Sequence, residues 1–158
     1  MPIQTLQASD DTAMAAIIRQ CLQAAGLDRP GTAFFDPELN HLSRFYAQSS
    51  RRAYFVYHDE RHILGGCGFA EYEPDRQIAE LQKLYLLPQA RGQHLGRRLL
   101  NYVEAQAKAA GWQQLYLETH TALPVAIHLY ETNGYHRLDQ PLHQAVHTTM
   151  DHFYLKSL

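Results

Sequence analysis

The sequence has few cysteines, almost no net charge and no long apolar run. Among its 158 residues are only two cysteines, and 14 basic against 16 acidic side chains leave a formal charge of −2. Cys21 and Cys67 are too few for a disulfide framework and indicate reduced thiols. The small charge gives no footprint for nucleic acid or for an anionic membrane surface. With neither a membrane-spanning run nor a signal peptide, the protein is expected to be cytoplasmic.

The common nucleotide and zinc motifs are missing as well. The sequence contains no G-x-x-x-x-G-K-[ST] phosphate loop, and no G-x-G-x-x-G follows a predicted strand. Ten histidines are present, but no H-E-x-x-H pair or Cys/His cluster has the spacing of a zinc site. The spacing of His143, His147 and His152 therefore predicts no metal site, and we expect the segment Leu142 to Asp151 to border a substrate pocket instead.

What the sequence does contain is an ordinary hydrophobic fraction of 46%, which predicts one domain over residues 1–158. Apolar periodicity predicts the element order βααβββαβαβ, and therefore an α/β or α+β sandwich with a mixed sheet and helices on both faces. The predicted strands are Ile3–Leu6, Ala53–Tyr57, Ile63–Ala70, Ile78–Leu87, Gln114–Thr119 and Thr149–Lys156. The predicted helices begin at Ser9-Asp10, Asp36-Pro37, Leu95 and Pro124. Within the third strand, Gly65, Gly66 and Gly68 predict a bulge or a close backbone contact.

Three of the helices have clear start or stop signals. The first presents Met14, Ile17, Ile18, Cys21 and Leu22 on one face and ends at Gly26. The second would turn Leu39, Leu42, Phe45 and Tyr46 inward. The fourth starts at Pro124, which suits a first helical turn, and closes near Gly134.

The most informative segment is the junction between a strand and a helix at Leu86 to Leu100. The N-terminus of a helix has unpaired N–H groups and the positive end of a dipole, so it can hold an anion. Gly92 and Gly96 let an anion approach the backbone, and Arg91, Arg97 and Arg98 add positive charge. The segment favours a phosphate site over a plain turn into a core helix.

The stretches ELQKLYLLPQARGQHLGRRLL and LYLETHTALPVAIHLYETNGY resemble the GNAT superfamily of N-acetyltransferases. The family signature [R/Q]-x-x-G-x-[G/A] is similar to the run from Arg91 to Gly96, except that His94 stands where a signature glycine is expected. The later pattern A-x-x-L-Y-x-x-x-G-Y also matches, at Ala126, Leu129, Tyr130, Gly134 and Tyr135. The resemblance implies a mixed, mostly antiparallel central sheet flanked by helices, and acetyl-CoA as co-substrate without a metal.

The resemblance also implies where the CoA would bind. The backbone of Leu84, Tyr85 and Leu86 would pair with the pantetheine arm as an added strand, which is physically reasonable at an open strand edge. The pyrophosphate would lie on the loop residues Arg91, Gly92, Gln93, His94, Leu95, Gly96 and Arg97. A second departure is Leu123, because the family often places there an asparagine that contacts the cofactor.

The expected chemistry is direct attack of an amine on the thioester in a ternary complex, which needs a base and an acid. By family resemblance Glu80 is the first candidate for the base, with Glu118 and His120 as second choices. Tyr130 is the candidate acid for the CoA sulfur, and the backbone N–H of Leu86 is a candidate donor to the thioester carbonyl. Each of these side chains also has an ordinary structural interpretation, on a sheet surface or in the core.

Two other functions stay open: a CoA-binding module without activity, and an acyltransferase using another acyl-CoA. A small-molecule amine is favoured over a protein as acceptor, but its identity is not readable from the sequence. The resemblance makes a homodimer through the terminal strands plausible, and neither nucleic acid nor a membrane is expected as a partner.

Overall fold

A computed structural model describes residues 2–143 and 147–158, and its strands form one seven-stranded mixed sheet. The sheet order is β1-β2-β3-β4-β5-β7-β6, and β4 with β5 is the parallel pair while the other neighbours run antiparallel. This confirms the predicted mixed, mostly antiparallel sheet. The strands are β1 (Ile3–Thr5), β2 (Ala53–His58), β3 (Ile63–Glu73), β4 (Ile78–Leu86), β5 (Gln114–Thr119), β6 (His136–Leu138) and β7 (His152–Ser157).

Helices cover both faces of this sheet. The helices are α1 (Asp11–Ala24), α2 (Leu42–Tyr46), α3 (Leu95–Ala109) and α4 (Pro124–Thr132). One core lies between the sheet and α1 with α2, and the other lies between the sheet and α3 with α4. The apolar face predicted for α1 is buried throughout, as a 3.6-residue period requires. Within the described residues, no helix combines the length and apolarity needed to cross a membrane.

The helix predicted to begin at Asp36-Pro37 is wrong in its extent. Only a 3₁₀ turn at Leu39–His41 forms, followed by the five-residue α2. The reason is a tertiary cap: Asp11 Oδ1 accepts a hydrogen bond from the backbone N–H of Ser43 at 2.8 Å, and Asp11 Oδ2 accepts one from its hydroxyl at 2.6 Å. These bonds start a new helix at Leu42.

The end of the chain differs from the prediction in two ways. The short strand β6 was not predicted, because three residues carry too little alternation to be recognised. The last strand begins at His152 and not at Thr149. Thr149 leaves the sheet because its N–H donates to the carbonyl of Gly31 at 3.1 Å and its hydroxyl donates to that of Pro30 at 2.8 Å.

The glycines of β3 mark both a bulge and a close contact, as predicted. Gly66 is paired with Tyr85 and Gly68 with Gln82, so β4 contains one extra residue across from β3. Within this bulge Lys83 has a left-handed φ of 53°. A Cβ on Gly66 would lie 2.5 Å from Tyr54 Cε1 and 2.8 Å from the carbonyl oxygen of Phe55. Glycine is therefore required where β2 approaches β3.

We predict that Gly66→Ala lowers the free energy of unfolding by about 1–3 kcal/mol, because β2 must move to admit the methyl group. Gly96→Ala is the matched control, since its added Cβ would have its nearest neighbours at 3.4 Å and would favour helix α3. Urea unfolding of both variants measures the difference. Equal stability of the two variants would contradict the prediction.

Candidate functional site

The candidate site lies where β4 and β5 separate. The two parallel strands pair only from Ile78–Gln114 to Glu80–Tyr116, and residues 81–86 of β4 continue without a partner from β5. A groove of about 620 Å³ opens beside this free edge. Its walls are the end of β4, the end of α1, the loop into α3 and the side of α4. The structure therefore combines an open strand edge with a helix N-terminus.

Nine of the ten sequence-predicted cofactor residues line this groove. They are Leu84, Tyr85, Leu86, Arg91, Gly92, His94, Leu95, Gly96 and Arg97. Gln93 is the exception, because its side-chain amide donates to the carbonyl of Gln89 at 3.2 Å. The structure thus brings together residues separated along the chain by the turn at Pro88–Ala90.

The start of α3 has the features of an anion site. His94 has a φ of 58° at the N-cap, and its side chain makes no capping hydrogen bond. The first turn has no acidic residue, and the first regular helical bond runs from Arg98 N–H to the His94 carbonyl. The N–H groups of Leu95, Gly96 and Arg97 therefore precede the helical hydrogen-bond pattern. His94 takes the left-handed conformation that a glycine would adopt most easily.

Arg91 secures the loop to the end of β4. Its Nε donates to the carbonyl of Leu86 at 3.1 Å, and one Nη lies 3.7 Å from the Cys21 sulfur. The Cys21 thiol also donates to the Leu86 carbonyl at 3.4 Å. Burial raises the pKa of Cys21 despite the neighbouring guanidinium. The thiol is therefore neutral and takes part in fixing the loop.

The α4 side of the groove is mainly apolar. Leu123, Pro124, Val125, Ala126 and Leu129 line it. Leu123 stands at the N-cap of α4 without a capping side chain, and it packs against the α1 core. The wall is therefore hydrophobic where the family often has an asparagine.

Tyr130 lies behind this wall. Its side chain is buried in the core, with its ring 5.6 Å from that of Tyr135 and 6.2 Å from that of Tyr154. It is not among the groove-lining residues. Burial raises the pKa of Tyr130 well above its ordinary value, so the phenol is protonated at neutral pH.

A second, smaller cavity of about 60 Å³ adjoins the groove at Tyr85, which lines both. Its polar walls come from β4, β5 and the segment before β7. They are Glu80, Gln82, Lys83, Glu118 and His147. The cavity thus brings Glu80 and Glu118 together. The segment predicted to border a substrate pocket reaches the same cavity through His147 and Met150. Residues 144–146 of that segment lie outside the described part of the chain.

Both carboxyl groups in this cavity are harder to ionise than usual. Burial raises the pKa of Glu80, a hydrogen bond of 2.7 Å from Gln82 Nε2 opposes this, and the nearby Glu118 raises it further. Burial also raises the pKa of Glu118, which accepts a hydrogen bond from the Tyr116 hydroxyl at 2.7 Å. Carboxyl groups whose pKa is raised by burial and a like charge are candidates for proton transfer.

The positive side of the cavity is built on Asp36. The Lys83 ammonium lies 2.8 Å from Asp36 Oδ2 and 3.5 Å from Glu38 Oε1, with only 5% of its side chain exposed. His147 Nε2 lies 2.7 Å from Asp36 Oδ1. Burial would raise the pKa of Asp36, but His147 and Lys83 outweigh it and the pKa is lowered. Burial would lower the pKa of His147, but the hydrogen bond to Asp36 and the charge of Asp36 outweigh burial, so the pKa of His147 is raised.

The structure does not place His120 at either cavity. Its Nδ1 accepts a hydrogen bond from the N–H of Ala122 at 2.9 Å, and its Nε2 lies 3.7 Å from Asp151 Oδ2. Both ring nitrogens are therefore directed to structural partners. Of the other histidines, His143 pairs with Glu73 and His152 with Asp151. No group of three or more potential metal ligands forms among the described residues.

Sequence reasoning missed three residues of this site, Asp36, Gln82 and Lys83, and interpreted Tyr46 as an inward-facing residue of the second helix. Gln82 had one usable signal, since residues i and i+2 of a strand share a face and Glu80 was already a candidate. No sequence signal indicated Lys83, because the position of its side chain depends on the bulge in β4. Asp36 and Tyr46 come from a distant segment that only the tertiary structure brings near β4.

Comparisons with known proteins agree with this geometry. Residues 13–135 match the model of the acetyltransferase (GNAT) family. The chain is 37% identical over 142 residues to the uncharacterized N-acetyltransferase YjgM of Escherichia coli strain K12, covering 89% of this chain and 84% of that protein. A GNAT-family acetyltransferase of Staphylococcus aureus Mu50 has a TM-score of 0.85 at 18% identity, covering 98% of this chain and 97% of that one.

YncA of Salmonella typhimurium, whose structure was solved with its cofactor acetyl-CoA, has a TM-score of 0.74 at 19% identity. The alignment covers 98% of this chain and 92% of the YncA chain. At these identities the structures show the fold, whereas the family match and the curated relative show the family. The chain belongs to the GNAT family of acetyltransferases.

Proposed function

We propose that this enzyme transfers the acetyl group of acetyl-CoA to the amine of a small molecule, by direct attack in a ternary complex. The observation that carries the proposal is the meeting of the two cavities at Tyr85. One is large and ends on a helix N-terminus, and the other is small and contains two carboxyl groups. The first suits the donor and the second suits an amine.

The groove has the features needed for the donor. The N–H of Leu87 donates to the carbonyl of Leu64 on β3, and alternate residues of a strand point their backbone groups to opposite sides. Leu86 and Leu84 therefore face the edge that β5 leaves open, where an extended pantetheine arm would add as a strand. The N–H groups of the loop from Gly92 to Arg97 would hold the pyrophosphate. The N–H of Leu86 is the proposed donor to the thioester carbonyl.

Glu80 is the proposed base. It would accept the first proton from the bound ammonium, after which the amine nitrogen forms a bond to the carbonyl carbon and the bond from that carbon to sulfur breaks. The nitrogen loses a second proton as the sulfur gains one, so the products are the amide and the free CoA thiol. Because the pKa of Glu80 is raised, its ionised form grows in over a higher pH range than that of an exposed glutamate. Activity should therefore rise with pH through that pKa. Glu118 is the alternative base in the same cavity.

Tyr130 is the proposed acid for the leaving thiolate. A donor must hold its proton at neutral pH, and the raised pKa of the buried phenol meets this requirement. Its hydroxyl makes no hydrogen bond within the described part of the chain, so that proton is uncommitted. The side chain stands in the core next to Leu129, which lines the groove.

The acceptor is proposed to be a small molecule because its cavity is small. A volume of about 60 Å³ with charged walls admits an amine and little around it. Two other functions remain to be distinguished by experiment: a CoA-binding module without activity, and transfer from another acyl-CoA. Competition between acetyl-, propionyl- and succinyl-CoA tests the second.

We predict that Glu80→Gln lowers kcat/KM by about 10²–10⁴-fold, the usual contribution of a general base, while the affinity for acetyl-CoA stays unchanged. Release of free CoA thiol with a panel of amines measures turnover, and calorimetry measures donor binding. Glu118→Gln is the matched comparison. A full loss in Glu118→Gln with none in Glu80→Gln would assign the base to Glu118. Donor binding without turnover of any amine by the unmodified protein would favour the binding module.

Tyr130→Phe is predicted to lower kcat by about 10²-fold or more with little change in KM, because only protonation of the thiolate is lost. Tyr154→Phe is the matched control. Tyr154 is another buried tyrosine of the same core, and its hydroxyl has no hydrogen-bond partner among the described residues. Steady-state kinetics of both variants give the answer. Equal kcat in the two variants would remove Tyr130 from the mechanism.

His94→Gly is predicted either to leave the Kd for acetyl-CoA unchanged or to lower it. Glycine adopts the left-handed conformation at the N-cap without strain, and it keeps the backbone N–H. His94→Val should weaken binding, because a β-branched residue resists that conformation. Calorimetric titration with acetyl-CoA measures both. Weaker binding by His94→Gly would show that the imidazole itself contacts the donor.

A further inference from the structure

Three side chains on the α2 face of the sheet are joined in series by hydrogen bonds. The Tyr46 hydroxyl donates to Gln82 Oε1 at 2.7 Å, and Gln82 Nε2 donates to Glu80 Oε1 at 2.7 Å. Glu80 and Gln82 share one face of β4, and Tyr46 comes from the last residue of α2. The series begins in the core, where Tyr46 is buried, and ends in the small cavity.

The direction of this series follows from chemistry. An ionised carboxylate only accepts hydrogen bonds, so the NH₂ end of the Gln82 amide must face Glu80. The oxygen end then faces Tyr46, whose hydroxyl must donate. Tyr46 thus holds the amide in the one orientation that favours the charged form of Glu80, since a turned amide would present its oxygen to the carboxylate.

We propose that Gln82, held by Tyr46, is a positioning residue that favours the ionised form of the Glu80 carboxyl group and directs it for proton acceptance. The inference rests on the proposed role of Glu80 as the base. Burial and the like charge of Glu118 both favour a protonated Glu80. Gln82 is the direct hydrogen-bond donor that opposes them.

The other titratable groups around Glu80 come from every neighbouring element. His147 and Lys83 favour its ionised form, and Glu118 opposes it. The remaining groups act indirectly: Asp36 holds Lys83 and His147, and Tyr116 donates to Glu118 while stacking on Tyr72. None of these forms a hydrogen bond with Glu80 in the described part of the chain, so substitutions at Gln82 isolate the one direct donor.

The decisive variant is Gln82→Met, which nearly keeps the shape of the side chain and removes the donor. The pKa of Glu80 should rise, so the acidic limb of kcat/KM against pH should move to higher pH by about one to two units. The midpoint of the pH titration followed by the ¹³C chemical shift of the Glu80 carboxyl, assigned with Glu80→Gln, should move by the same number of pH units in the protein with acetyl-CoA. Tyr46→Phe should shift both in the same direction by less, because the amide stays but is no longer held.

Tyr135→Phe is the matched control for Tyr46→Phe. Like Tyr46→Phe, it removes a buried hydroxyl that donates a hydrogen bond, in this case to Glu104 Oε1 at 3.0 Å on the opposite face of the sheet. Its pH profile should not move. A merely structural role for Gln82 and Tyr46 would lower stability without shifting either titration.

Unchanged titration of Glu80 in Gln82→Met would overturn the inference. Full activity of Glu80→Gln together with a shifted carboxyl titration in Gln82→Met would instead overturn the proposed base, while leaving the hydrogen bond's effect on ionisation established. Shifts of both the carboxyl titration and the kinetic limb support the inference.

Discussion

The incomplete pairing of β4 with β5 is the constraint on which the candidate site depends. After Glu80–Tyr116 the strands diverge, and the backbone groups of β4 on that side have no strand to bond. Unpaired backbone groups are costly when they are buried, so such an edge must be solvated or completed by a ligand. An extended amide-containing chain such as pantetheine has the chemistry to complete it. In the proposed function, donor binding would thus extend the sheet itself.

The same βαβ unit also supplies the anion site. Because β4 and β5 are parallel, the chain between them must cross over, and α3 makes the crossing. A crossover helix begins at the carboxyl end of the strand it follows, so the N-terminus of α3 must lie beside the free edge of β4. Arg91 fixes the intervening loop by bonding the carbonyl of Leu86. The open edge and the helix N-terminus beside it therefore have one topological cause.

The bulge in β4 adds a charged side chain to the small cavity beside the groove. Without the extra residue Lys83 would face α3, opposite Gln82; with it, both line the small cavity. A buried ammonium needs close partners, and Asp36 and Glu38 provide them. Asp36 in turn binds His147 and thereby ties the segment before β7 to the cavity. The bulge therefore places the Lys83 ammonium beside Asp36, the residue that also holds His147.

Local sequence signals account for the elements around the groove better than for the charged groups around the small cavity, for physical reasons. The strand Gln114–Thr119 and the buried face of α1 follow from residue periodicity, and the loop from Arg91 to Gly96 is a contiguous motif. Asp36 and Lys83 meet through a bulge and a distant loop, and no spacing along the chain encodes that meeting. The second helix was predicted too long because its start depends on Asp11, a tertiary cap.

The division between the two cavities also explains how one strand can serve two opposite requirements. In the proposed function, the groove needs backbone donors and apolar walls, whereas the small cavity needs a carboxyl group that can gain and lose a proton. Tyr85 separates them, and burial raises the pKa of its phenol, so it stays neutral there. A neutral partition keeps the charges of Glu80 and Glu118 on the side of the small cavity, where the proposed function would bind and deprotonate a cation. Gln82 lines the small cavity and Leu84 lines the groove. These residues are only two positions apart on β4, and they have different surroundings because the bulge lies between them.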